Sequence, residues 1–154
     1  MEGLRIDHTT LPSPLPGSPS FIFHLTHLTN TLLLWIGTGQ PTDPADPTAV
    51  ITPVERKLAQ DWAVAMPSTR NLPVAATSIY RGGGDIALPM SQRLARRFPT
   101  SQIHLSLSLP PSLTSASGPS LDPFASKVML VMEKRLGAWL EEVLQRDISG
   151  DAKA

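Results

Sequence analysis

Leu28-Thr29-Asn30-Thr31-Leu32-Leu33-Leu34-Trp35-Ile36-Gly37 is a polar turn running straight into an apolar strand. Phe21 to Leu28 precedes the turn and Thr31 to Gly37 follows it, so Thr29-Asn30 reads as the tight turn of a β-hairpin. A second pair of strand signals follows, Trp62 to Met66 and Val74 to Tyr80, joined by the longer turn 67–73. The run Ile103 to Leu109 alternates strictly. Ile103, Leu105, Leu107 and Leu109 fall on one face and His104, Ser106 and Ser108 on the other, the pattern of a half-buried strand.

Two helices fit between and after these strands. Leu88 to Phe98 places Leu94 and Phe98 toward a core, with Arg93, Arg96 and Arg97 around them. Phe124 to Arg146 is long and opens on Asp122-Pro123, a capping acceptor followed by the residue favoured at a first helical position. Val128, Met132, Leu136, Trp139 or Leu140, and Val143 form one stripe at helical spacing. Gly137 interrupts that helix at a cost of about 1 kcal/mol against alanine, which a close approach to the sheet would explain. The tail from Ser149 to Ala154 reads as frayed. The order is β-β-loop-β-β-α-β-loop-α. Strands joined by short turns pair antiparallel, and at most one strand–helix crossover is present. The expected fold is therefore α+β, an antiparallel β-sheet with two α-helices packed on one face.

A chain of 154 residues with 41% apolar content supports one modest core. Twelve of its 16 prolines gather around 12–19, 41–53 and 110–123. Proline lacks the amide donor and fixes φ, so these stretches are excluded from sheet and helix interiors. The expected organisation is a mobile proline-rich arm over 1–20, a single domain over 21–146 with long loops at 38–60 and 110–122, and a tail over 147–154. Formal net charge is zero, against the basic excess usual in nucleic-acid binders. Cysteine is absent, which removes disulfides and thiolate metal sites and favours a reducing compartment. The N-terminus lacks the basic-then-apolar pattern of a signal peptide, and no apolar run reaches the ~20 residues that span a bilayer. Cytoplasm or nucleus is the expected location, with neither nucleic acid nor membrane as partner.

The residues do not assemble catalytic chemistry. Arg81-Gly82-Gly83-Gly84-Asp85 stands where a phosphate loop would, but lacks its Lys and Ser/Thr, and Asp85 repels phosphate. The glycines read as a turn that uses φ > 0. His24 and His27, three apart on a strand, point to opposite faces and cannot share a metal. The serines have no nucleophile-elbow context, and no carboxylate pair falls in the core. No enzyme, cofactor or metal is expected. Arg93, Arg96 and Arg97 are the strongest positive signal. They read either as a solvated helix face or as a docking surface for an acidic protein partner, which suits arginine's planar fork.

Leu-Thr-Asn-Thr-Leu-Leu-Leu-Trp-Ile-Gly at 28–37, Trp-Ala-Val-Ala-Met at 62–66, Leu-Pro-Val-Ala-Ala-Thr-Ser at 72–78, Gln-Arg-Leu-Ala-Arg-Arg at 92–97 and the strand at 103–109 resemble, in that order, the proteasome assembly chaperone four family. The resemblance continues more weakly into 131–136 and departs in the proline-rich arm and the two long loops. It implies a small non-enzymatic α+β protein. Such a protein forms a heterodimer with a related chain, proteasome assembly chaperone three. It helps the proteasome α-subunits form the core-particle ring, then leaves. On that reading some of Arg93, Arg96 and Arg97 would contact acidic residues of an α-subunit. Trp35 points opposite to Leu34 and Ile36, so the second face of the sheet is expected to carry apolar surface, and the related chain is expected to cover that face or an edge of the sheet. A small sheet-and-helix adaptor in membrane trafficking is the alternative with the same fold class.

Overall fold

The structure, a computed structural model, describes residues 3–54, 57–82, 85–114 and 123–151. The elements in chain order are β1 (Arg5–Leu11), β2 (Ser20–Leu28), β3 (Thr31–Pro41), β4 (Ile51–Pro53), β5 (Asp61–Met66), β6 (Ala75–Arg81), α1 (Ala87–Arg97), β7 (Gln102–Ser108), α2 (Pro111–Thr114) and α3 (Ala125–Asp151). The hairpin of β2 and β3 forms as read. Leu28 pairs with Thr31 across the two-residue turn, and Asn30 takes the left-handed conformation there (φ 53°). Asparagine tolerates that region better than most residues, because its short polar side chain bonds locally.

The strands lie in the order β1-β2-β3-β7-β5-β6, with β4 paired to the far end of β3. Every pairing is antiparallel except β3 with β7, which run parallel from Thr31 beside Gln102 to Gly37 beside Ser108. The sheet is thus mixed, not antiparallel throughout. The hairpin of β5 and β6 does not dock on β3. The chain leaves it through α1, crosses the helix face, and inserts β7 between β3 and β5. The α+β class stands, with the α1 crossover as its one parallel connection.

Two strands lie where proline-rich connections are expected. Arg5–Leu11, inside the stretch read as an arm, pairs with β2 along its whole length. It contains no proline; Pro12, Pro14, Pro16 and Pro19 all fall in the connection that follows. In the stretch read as a loop over 38–60, β3 continues to Pro41 and pairs with Ile51–Pro53. The prolines sit at the strand ends, where the missing donor costs least. Residues 111–114, read as loop, form α2, and 115–122, including the expected cap Asp122, lie outside the described residues. The long helix continues to Asp151, five residues past its expected end, through Ser149 and Gly150. Arg5 of β1 pairs with Asp147, and His27 of β2 lies 3.6 Å from it, which holds the last turns on the sheet.

One core fills the space between the sheet and the helices. Phe21, Phe23 and Leu25 of β2, Leu32, Leu34 and Ile36 of β3, and Ile103, Leu105 and Leu107 of β7 are buried together with Met90 and Leu94 of α1. Val128, Met132, Leu136, Leu140 and Val143 of α3 complete it. Both alternatives for the middle of the stripe are used: Leu140 is buried, and Trp139 packs its ring 5.9 Å from that of Phe23. The strand β7 is more than half-buried. Ser106 and Ser108, on its polar side, are also covered, because β7 is central and residues 57–60 fold over it.

Candidate functional site

The helix layer covers one face of the sheet; the opposite face holds an apolar depression. Leu33 and Trp35 of β3 and Trp62 of β5 form its floor, and Pro53 and Leu58 rise beside them. The groove has a volume of about 630 Å³, with His24, Thr26, Lys57 and Ser106 as its polar lining. Its shape follows from local sequence. Trp35 and Gly37 share a face two residues apart, and the indole lies over Gly37 so closely that a Cβ there would overlap the ring. The indole Nε1 donates to the Lys57 carbonyl at 3.2 Å, and Ser106 Oγ donates to the Leu58 carbonyl. These two bonds pull segment 57–60 over the sheet as a wall.

Beside the groove, Val64 and Met66 extend the apolar strip along β5, with Met66 about half exposed. His104 of β7 stands 6.2 Å from the Trp62 ring, and partial burial lowers its pKa from the ordinary 6.5. The Trp62 Nε1 is buried without an acceptor among the described residues. A surface of two tryptophans, leucine and proline with few charges has the composition of the centre of a protein interface.

The arginines on the other side of the molecule are not equivalent. Arg93 Nε donates to Glu133 at 2.6 Å and its Nη2 to the second carboxylate oxygen at 3.1 Å, a bidentate pair between α1 and α3. Arg97 donates to Glu141 at 2.9 Å, and its guanidinium passes over Gly137. The glycine therefore makes room for an arginine and not, as expected, for the sheet. Arg96 is exposed and has no ion pair among the described residues.

The start of α1, where a phosphate would sit, is occupied by the chain itself. Asp61, only 6% exposed, accepts from the Ile86 and Ala87 amides at 2.9 and 2.8 Å. Its carboxylate meets the positive end of the helix dipole and so takes the place of an anion. Gly82 has no positive φ; it admits the Gln60 carbonyl, to which its amide donates at 2.7 Å. Gly83 and Gly84 lie outside the described residues. His24 and His27 do face opposite ways, His24 into the groove and His27 onto Asp7 at 2.7 Å. Asp7 and Asp147 approach opposite ring nitrogens of His27, so they do not converge on one point. No helix of the described residues is long and apolar enough to cross a membrane.

These features define a class: an α+β interaction module, with helices on one face of a mixed sheet and an apolar groove on the other. The family model of proteasome assembly chaperone 4 matches residues 20–109, more than half of the chain, and the chain belongs to that family. The matched span runs from β2 through β7 and includes the groove and α1. This is a chaperone family, not an enzyme family. No curated protein matches the chain.

Proposed function

We propose that the chain pairs with a related assembly chaperone of the proteasome assembly chaperone three kind through the open face of its sheet. The pair then promotes formation of the proteasome core-particle α-ring and departs before the particle matures. Family membership supports the proteasome role. The observation that carries the pairing is the groove floored by Leu33, Trp35 and Trp62 on a sheet whose other face is already covered. A sheet needs cover on any face this apolar, and a partner's sheet or helix supplies it. The activity is binding, without catalysis or cofactor, and its setting is the cytoplasm and the nucleus.

Contact with an α-subunit falls to the helix side of the molecule in this reading. Of Arg93, Arg96 and Arg97, Arg96 is the one whose charge is not already matched by a carboxylate of α3. The test is capture of the tagged full chain from cells, with the bound proteins identified by mass. Recovery of the related chaperone together with α-subunits is expected. Trp35→Ala with Trp62→Ala should lose the related chaperone while the chain remains folded. Capture of membrane-coat proteins in place of proteasome subunits would overturn the reading.

A further inference from the structure

The ion pairs of the helix layer leave a residue of charge with one sign. Four carboxylates of α3 have basic partners. Glu133 is held by Arg93, Glu141 by Arg97, Glu142 by Arg146, and Asp147 by Arg5. Arg96 of α1 and Lys127, Lys134 and Arg135 of α3 are exposed and have no carboxylate partner among the described residues. Lys127, Leu130 and Lys134 are three and four residues apart and so form one outward stripe along α3. Leu130, between the lysines, is 66% exposed, on the side of the helix away from the core. The Arg93–Glu133 pair joins the two helices side by side, which places the Arg96 side of α1 and this stripe on the same outer surface.

We infer that this stripe, Lys127–Leu130–Lys134 with Arg96 beside it, is a docking surface for an acidic protein face that carries an apolar residue among its carboxylates. The inference rests on the proteasome reading, because it takes the occupant to be a proteasome α-subunit. The occupant is acidic: the surface's three cations without matching anions attract carboxylates, and among the described side chains of α1 and α3 no unmatched carboxylate opposes them. The exposed leucine selects a protein surface with an apolar centre over a purely ionic ligand. The surface is separate from the groove, so a related chain on the sheet and a subunit on the helices can be held together. Glu133 and Glu141 have a second role in this arrangement. By engaging Arg93 and Arg97 they narrow the basic surface from the arginine cluster of α1 to the crest of α3.

The test uses the full chain and purified proteasome α-subunits, each immobilised separately, at about 0.15 M salt, where the Debye length is about 8 Å. Lys127→Glu with Lys134→Glu should weaken binding to the recognised subunit by about tenfold or more, as expected when two rim charges are reversed. Leu130→Ser should weaken it independently. All three side chains are exposed, so melting temperature and capture of the related chaperone should remain as in the unsubstituted chain. Equal binding by the reversed and unsubstituted chains would overturn this surface and leave the proteasome reading in place. An unsubstituted chain that binds no α-subunit would overturn both. Binding to vesicles containing phosphatidylserine, lost on the same reversal while subunit binding persists, would assign the stripe to a membrane and overturn the protein docking.

Discussion

Trp35 and Gly37, two positions apart on one face of β3, form a unit. The indole folds back along its own strand, and only a residue without Cβ leaves it room. Gly37→Ala should push the ring off the sheet and break its bond to the Lys57 carbonyl. A loss of about 1–3 kcal/mol is expected, the usual cost of overpacking, read as a lower urea midpoint together with a changed tryptophan emission. His104 acts on the same face through desolvation. Partial burial lowers its pKa in the folded chain below the ordinary 6.5. Below that value the unfolded chain takes up the proton more readily than the folded one. The stability is therefore complete above pH 6.5 and is lost as pH falls through the lowered value. Urea midpoints measured between about pH 7.5 and about pH 5.5 should fall less steeply for His104→Gln than for the unsubstituted chain. Parallel slopes would show that His104 is as well solvated in the fold as out of it.

At the scale of elements, α1 lies over β5, β6 and β7, while α3 packs on β2 through Trp139 and Phe23 and reaches β1. Arg93–Glu133 and Arg97–Glu141 cross the seam between the helices. Gly137 sits under the second pair, and two effects oppose each other there. Alanine would gain about 1 kcal/mol of helix propensity. It would also displace the mobile end of Arg97, whose ion pair is exposed and contributes about 0–1 kcal/mol. Gly137→Ala is therefore expected to raise stability by about 0.5 kcal/mol in thermal or urea unfolding. A clear loss would mean that the Arg97 bridge fixes how the helices sit. The sequence made some of this architecture legible. Alternation in 103–109 revealed a strand, the stripe from Val128 to Val143 revealed a core helix, and Trp35 against Leu34 and Ile36 revealed an apolar second face. Other parts were hidden for definite reasons. Strand β1 lies at an edge, where Asp7 and His8 carry no apolar alternation, and β4 is only three residues long. The parallel neighbours β3 and β7 meet across about seventy residues of chain, and no local pattern records that pairing. The fate of the arginines was hidden in the same way, since their carboxylates lie forty or more residues downstream.

The molecule as a whole has two surfaces of opposite physical character. The open sheet face offers tryptophan, leucine and proline; the outer helix layer offers unmatched cations around one leucine. Association at the first would be driven by removal of apolar area from water, which salt does not screen. Association at the second would be steered by charge across a solvated rim, which salt screens strongly. The two proposed partners should therefore separate along one variable. Raising salt from about 0.15 M to about 1 M shortens the Debye length from about 8 Å to about 3 Å. Under that change the α-subunit should dissociate from the complex while the related chaperone stays bound. Sedimentation of the assembled complex at the two salt concentrations reads both outcomes in one experiment. Loss of the related chaperone with the α-subunit retained would reverse the assignment of partners to faces. Loss of both together would mean that each depends on the charged layer, and that the apolar groove does not by itself hold a chain.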